Sequence, residues 1–263
     1  MYIRPKKSLG QHFLKDLGIA GRIAETLSAF RGVPVLEVGP GTGVLTRFLL
    51  DERHDLSVVE IDGESVRHLE QQFPQLDGRI YREDFLQMNP CSLFDTPFCV
   101  IGNYPYYISS QIFFKVLACR DRVVCCSGMI QQEVAERLAA APASRHFGIL
   151  SALIQPWYDV EYLFTVGREA FDPPPKVTSA VIRMTRNGRT ALGCSEALYK
   201  TVVKTSFNRR RKTLRNSMRP LLGKICPSYE LPIFDKRPEQ LSIEQFIELT
   251  LITDDCLSRV KNG

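Results

Sequence analysis

Apolar positions along the chain fall into short continuous runs separated by stretches of helical spacing. Leu17 to Phe30 carries Ile19, Ile23, Leu27 and Phe30 on one helical stripe. Val33 to Val38 is an apolar run that feeds Gly39-Pro40-Gly41-Thr42-Gly43, and a helix with Val44, Leu45, Phe48 and Leu49 inward follows. The alternation repeats: a strand over Leu56 to Ile61, a helix with Val66, Leu69 and Phe73, and a short strand near Arg79 to Arg82. Next come a strand over Phe98 to Ile101, a helix over Ser109 to Leu117, a strand over Val123 to Ile130 and a helix over Gln131 to Ala140. Phe147 to Ile154 reads as helical, while Tyr158 to Phe164 and Ala180 to Met184 read as a closing pair of strands. Strand and helix in alternation predict an α/β, doubly wound, Rossmann-like parallel sheet, with antiparallel strands allowed at its end. Residues 1 to 15 read as an extended arm.

Beyond Arg183 the pattern is helical only. Asn187-Gly188-Arg189 and Leu192-Gly193 form a linker, followed by expected helices over Glu196 to Phe207, Arg209 to Leu222 and Ile243 to about Val260. The expected organisation is a catalytic domain over 1–187, arm included, and a small helical domain over 188–263. With 44% hydrophobic and 24% charged residues, the composition is that of a globular chain with a substantial core. No apolar run reaches membrane-spanning length, and the first fifteen residues have no apolar segment of the kind a secretory signal needs. None of the eight cysteines forms Cys-x-x-Cys, so they read as reduced thiols of a cytoplasmic protein. The four histidines share no ligand spacing with them, and no metal site is expected.

Charge changes this picture in one place. The net charge is +5, yet Ala197 to Tyr229 holds nine Lys/Arg and no Asp/Glu, so the remainder carries 5 − 9 = −4. Lys204, Arg209, Arg210, Arg211, Lys212 and Arg215 are therefore expected to form a polyanion-binding surface, on a helix that buries Leu214, Met218 and Leu221.

The chemistry gathers at the ends of the expected strands. Gly39 and Gly41 sit in a Gly-x-Gly-x-Gly turn, which differs from the Gly-x-Gly-x-x-Gly of dinucleotide enzymes. Glu60 lies twenty-one residues after Gly39, at the end of the next strand, where an acid binds the hydroxyls of an adenosine ribose. Asp84 and Phe85 end the third strand, a carboxylate for the adenine amino group and an aromatic for its face. No P-loop lysine is present. An adenosine without phosphates fits, namely S-adenosylmethionine. Either acid alone is compatible with a solvated loop, but three successive strand ends carrying loop, acid and Asp-Phe are not an ordinary coincidence.

The fourth strand ends in Asn103-Tyr104-Pro105-Tyr106. Asn103 offers a side-chain carbonyl. Pro105 keeps Tyr104 out of the helical region, which frees the Tyr104 carbonyl as a second acceptor. Tyr106 adds a flat face. Two acceptors and a ring suit a planar exocyclic amine such as adenine N6.

Taken in order, these segments resemble the ribosomal RNA adenine N6,N6-dimethyltransferases, of the bacterial small-subunit type. The resemblance runs through Lys7-Ser8-Leu9-Gly10-Gln11-His12-Phe13-Leu14, Glu37 to Gly43, Asn103 to Tyr106, Gln131 to Leu138, Phe171-Asp172-Pro173-Pro174-Pro175-Lys176-Val177 and Phe207 to Asn216. It implies a Rossmann-like S-adenosylmethionine-dependent domain with a small helical domain. It also implies that His12 and Leu14 join Gly39, Glu60, Asp84 and Asn103 around the cofactor, and that the substrate adenine sits between Tyr106 and Phe171. The implied reaction is dimethylation of two adjacent adenosines in the 3'-terminal hairpin loop of 16S rRNA, with a role in 30S biogenesis. Three positions depart from the family pattern: Tyr104 where Leu is usual, His12 where many members have Asn, and Glu83 where a small or polar residue is frequent. A large-subunit rRNA adenine methylase shares the catalytic half, but the arm and the Arg-Arg-Arg-Lys stretch favour the small-subunit type. A DNA methyltransferase would need a recognition domain for which few residues remain. A non-catalytic assembly factor on the same fold would have no use for an intact Asn-x-Pro-Tyr and Glu60. A monomer is the expected state.

Overall fold

A computed structural model describes residues 3–6 and 9–261, so Lys7 and Ser8 of the arm lie outside the described residues. In chain order the elements are Phe13–Leu14 (β1), Leu17–Ala24 (α1), Val35–Val38 (β2), Val44–Asp51 (α2), Leu56–Val59 (β3), Gly63–Gln72 (α3) and Ile80–Tyr81 (β4). Phe98–Asn103 (β5), Ser109–Ala118 (α4), Val123–Gln131 (β6), Gln132–Leu138 (α5), Ile149–Ile154 (α6), Tyr158–Val166 (β7), Phe171–Asp172 (β8) and Ser179–Arg186 (β9) follow. Glu196–Phe207 (α7), Leu214–Ser217 (α8), Arg219–Leu222 (α9) and Ile243–Lys261 (α10) complete the chain.

The main sheet has the order β4-β3-β2-β5-β6-β9-β7. Strands β2 to β6 run parallel, and β9 pairs antiparallel with β6 from Gln131↔Ser179 to Cys125↔Thr185. β2 and β3 are buried along their whole length, as parallel strands covered on both faces must be. Val35, Val58, Cys99, Ile101, Cys125, Met129 and Val181 of the sheet share a core with Ala20, Ile23 and Ala24 of α1 and Leu45 and Leu49 of α2. α1 starts where Asp16 caps it, its carboxylate accepting from the Ile19 N–H at 3.0 Å. Because β3 lies on one side of β2 and β5 on the other, the strand order reverses between β2 and β5. That crevice, at the carboxyl edge, is where open α/β sheets take ligands.

The chain forms two compact units, 1–135 with 159–186 and 136–158 with 187–263. Residues 136–158, placed in the catalytic domain from sequence, thus belong with the C-terminal unit. Their side of that unit includes a bond from the Tyr199 hydroxyl to the Ala152 carbonyl at 2.9 Å and one from the Ala143 N–H to the Glu239 carbonyl at 2.7 Å.

One expected helix is not continuous. Between α7 and α8, Arg209 to Lys212 form a turn closed by the Lys212 N–H on the Arg209 carbonyl at 2.8 Å. Thr213 is extended (φ −63°, ψ 158°), and α9 begins afresh with Pro220 in its first turn. A continuous helix would stack Arg209 on Lys212 at i,i+3 and Arg211 on Arg215 at i,i+4, where like charges repel, and proline is tolerated only in a first turn. The short β1–β8 pair, Leu14↔Phe171 and Phe13↔Asp172, has too little pattern to be seen in sequence.

Candidate active site

A cavity of about 400 Å3 opens at the carboxyl edge of β2, β3 and β5, within the roughly 300–1,000 Å3 usual for small-molecule sites. His12 and Leu14 from the arm, Gly39 and Gly41 after β2, Glu60 after β3, and Asp84 and Phe85 after β4 line it, together with Asn103, Tyr104, Pro105 and Tyr106. Among the described residues no Lys or Arg lines the cavity.

Glu60 is buried, and its two oxygens accept from the Gly41 N–H at 3.0 Å and the Asp62 N–H at 2.8 Å. Burial raises its pKa, and those two N–H groups work against the rise. A carboxylate offers about four lone-pair sites, so two remain for a ligand's hydroxyls. Gly41 has φ +57°, and a Cβ there would meet the Phe13 ring at 2.9 Å; glycine alone lets the loop close under the arm. Asp84 accepts from the Leu86 N–H at 2.9 Å, which fixes its carboxylate beside buried Phe85. Two hydroxyl-accepting sites, an acid with an aromatic beside it, and no cation where a phosphate would lie together fit an adenosine without phosphates.

Asn103 Nδ2 donates to the His12 carbonyl at 3.1 Å. With the amide nitrogen committed, Oδ1 is left as an acceptor with no partner among the described residues. Tyr104 is 1% exposed, its hydroxyl donating to the Ser127 carbonyl at 2.7 Å. The ring has room because Gly102 and Gly128 face each other across β5 and β6; a Cβ on Gly128 would come within 2.2 Å of the Gly102 carbonyl and 2.8 Å of the ring. Tyr104 lines the cavity, and its N–H donates to the Met129 carbonyl at 3.0 Å. The Tyr106 hydroxyl meets Ser179 Oγ at 2.5 Å, and burial raises its pKa.

Phe171 departs from expectation. It is 1% exposed, packs in the core and pairs with Leu14, so the structure does not bring it opposite Tyr106. An apolar ring beside a two-strand pair buries itself in the nearest core. The ring facing Tyr106 is that of His12, centroids 5.7 Å apart and planes 25° apart.

Two features were not singled out from sequence. Lys6 Nζ reaches Asp62 at 2.5 Å and Glu64 at 3.1 Å, tying the arm to the start of α3. Asp62 caps that helix, and the Lys6 ammonium keeps its carboxyl below the usual range although burial pushes the other way. The second is Glu37, fully buried with Thr46 Oγ donating to it at 2.7 Å. Burial raises its pKa to about 8. The folded chain therefore keeps a proton that the unfolded chain releases near pH 4 to 5, and stability falls as pH climbs from about 4.5 toward about 8. Glu37→Gln removes that dependence, at about 1.4 kcal/mol per pH unit. Thermal unfolding across pH 5 to 8 is expected to show the variant gaining on wild type with every step up in pH; parallel curves would mean Glu37 ionises normally.

In the C-terminal unit, Lys204 lies on α7, Arg209 to Lys212 on the turn, and Arg215 on α8. Arg209, Arg211, Lys212 and Lys204 are exposed. Arg210 donates to the Arg145 carbonyl, and Arg215 pairs with Asp235 at 2.6 Å. Among the described residues no group of three or more His, Cys, Asp or Glu could hold a metal ion, and no helix is long and apolar enough to cross a membrane.

The ribosomal RNA adenine dimethylase family model matches residues 3–245. The chain is 69% identical over 257 residues to the ribosomal RNA small subunit methyltransferase A of Parabacteroides distasonis, covering 98% of this chain and 97% of the relative. To the protein of the same name from Bacteroides thetaiotaomicron it is 60% identical, covering 97% and 96%. Among solved structures, a dimethyladenosine transferase from Plasmodium falciparum superposes with a TM-score of 0.77 at 24% identity, covering 93% and 98% of the two chains, and so shares the fold. The 23S rRNA methyltransferase ErmE gives a TM-score of 0.67 at 26% identity, covering 92% and 99%. Sequence, fold and cavity converge, and the chain belongs to the ribosomal RNA adenine dimethylases, S-adenosylmethionine-dependent methyltransferases that act on rRNA.

Proposed function

We propose that this chain dimethylates N6 of two adjacent adenosines in the 3'-terminal hairpin loop of 16S rRNA, on the small ribosomal subunit during its assembly, as a cytoplasmic monomer. The observation that carries the reading is a pair of acceptors, Asn103 Oδ1 and the Tyr104 carbonyl, neither with a partner among the described residues, on residues that line a cavity that fits an adenosine. The names of relatives 69% and 60% identical support the choice of subunit.

S-adenosylmethionine, when bound, supplies an electrophilic methyl group. Glu60 would hold its ribose, and Asp84 and Phe85 its adenine, with Gly39 and Gly41 allowing close backbone approach. The substrate amine is a weak nucleophile because its lone pair is delocalised into the ring. Asn103 Oδ1 and the Tyr104 carbonyl would each accept one N–H, favouring a more pyramidal nitrogen whose lone pair is withdrawn from conjugation with the ring. They would also stabilise the positive charge that develops on N6. Pro105 fixes the carbonyl's direction and Tyr106 stacks the base. Positioning of this kind is worth up to roughly 7–11 kcal/mol. The base must be unpaired or flipped out to enter.

Lys204 and the turn from Arg209 to Lys212, with Arg215, would hold the RNA backbone. Purified protein is expected to transfer labelled methyl groups to small subunits lacking the modification, and not to large subunits or DNA; the opposite preference would refute the reading. Replacing Arg209, Arg210, Arg211 and Lys212 with Gln should weaken small-subunit binding. Of the four, Arg209, Arg211 and Lys212 are exposed, whereas the Arg210 side chain is held on the Arg145 carbonyl, so about three phosphate contacts are at stake and the log–log salt slope should fall by roughly 2 units. Cofactor affinity should stay put. A titration at several salt concentrations that leaves the slope unaltered removes this turn as the RNA surface.

A further inference from the structure

We propose that Cys226 and Cys256 are an oxidation site, which hydrogen peroxide converts to a disulfide that staples α10 to the segment after α9. Both are free thiols. Their sulfurs lie 3.5 Å apart although thirty residues separate them in sequence, and Ser228 Oγ is 3.0 Å from the Cys256 sulfur. Cys256, on α10, is partly exposed and Cys226 is buried. The first is open to a small oxidant, and the second is close enough to resolve the product.

The chemistry balances with one peroxide per pair. The Cys256 sulfur attacks a peroxide oxygen; an S–O bond forms, the O–O bond breaks, and the leaving hydroxide takes the thiol proton as water. The Cys226 sulfur then attacks the oxidised sulfur. The S–S bond forms, the S–O bond breaks, and the hydroxyl leaves with the second thiol proton as a second water. The two thiols lose two electrons and the peroxide gains them. A disulfide needs about 2.05 Å between sulfurs, so they must approach by about 1.5 Å. Cys226 stands in extended backbone (φ −138°, ψ 123°) between α9 and α10, where side-chain rotation and a small shift of an irregular segment supply that.

The other thiols are worse placed. Cys99 and Cys125 are partners across β5 and β6, but both are fully buried, out of reach of an oxidant. Burial and the neighbouring Cys91 push the Cys119 thiol up to about 12, and the thiolate is the nucleophile. Burial raises the Cys256 thiol too, but there the Ser228 hydroxyl works against it.

The test treats the full chain with hydrogen peroxide, alkylates the remaining thiols and maps the peptides by mass spectrometry. Wild type is expected to give a Cys226–Cys256 cross-link that dithiothreitol reverses. Closing a loop of about thirty residues should also raise the melting temperature by on the order of 5 °C. In Cys226→Ser the resolving thiol is gone, so Cys256 should accumulate as a sulfenic acid that dimedone traps, with no rise in melting temperature. Circular dichroism of the reduced variant, matching wild type, shows that it folds. A chain whose other cysteines oxidise before this pair, or in which the link forms only after denaturation, would overturn the proposal. A link that leaves the melting temperature unchanged would overturn the staple.

Discussion

Asn103→Ala is expected to slow methyl transfer by about 100- to 1,000-fold, the range seen when one preorganised group facing developing charge is removed. The side chain's two ends have separate duties: Nδ2 holds the arm through the His12 carbonyl, and Oδ1 is the acceptor for the amine. Asn103→Asp separates them, because it keeps an acceptor and loses the donor. Single-turnover rates with saturating cofactor should rank wild type, then Asp, then Ala. If Ala and Asp were equally slow, the arm tether rather than the acceptor would be the essential part. Near-normal turnover in Ala would place the acceptor elsewhere.

Glu60→Ala should cost cofactor affinity about 100-fold, since hydrogen bonds to a charged group are worth about 1.5–3 kcal/mol and each 1.4 kcal/mol is tenfold. Part of the loss arises inside the protein, where the Gly41 and Asp62 N–H groups lose their acceptor. Calorimetry with S-adenosylmethionine measures the first effect, and RNA binding without cofactor should be unchanged. Hydroxyl donors favour the ionised carboxylate, and burial raises the Glu60 pKa. Wild-type affinity should therefore weaken as pH falls through that raised value, and Glu60→Gln should flatten the dependence. Wild-type affinity in the Ala variant would remove Glu60 from the ribose site.

Much of this was legible in the chain because it depends on local pattern. A buried parallel strand must end at the ligand edge, so Gly39, Glu60, Asp84 and Asn103 could be placed from the alternation alone. Tyr104 could be assigned a backbone role because proline follows it. What escaped depends on contacts between distant segments. Phe171 has no local feature that separates a core ring from a stacking ring; its burial is decided by pairing with Leu14, over 150 residues earlier. The His12–Tyr106 stack requires the arm to be docked. The break at Arg209 to Lys212 was hidden by apolar spacing that two short helices satisfy as well as one long one, and Pro220 was the signal that could have exposed it. Glu37 lies inside a glycine-rich segment whose acid gives no sign, in sequence, of staying protonated.

The strand order has a bearing on synthesis. β9 sits between β6 and β7, so when the first 135 residues have left the ribosome, the long buried strand β6 still has an open edge. That edge closes only once residues 179–186 have emerged, after the nascent chain has made the 136–158 excursion that belongs to the other unit. An unpaired apolar edge is a template for wrong pairing. A truncation ending near residue 140, though it holds the whole nucleotide-binding half, is the fragment most exposed to aggregation, whereas one ending past Arg186 leaves no such edge.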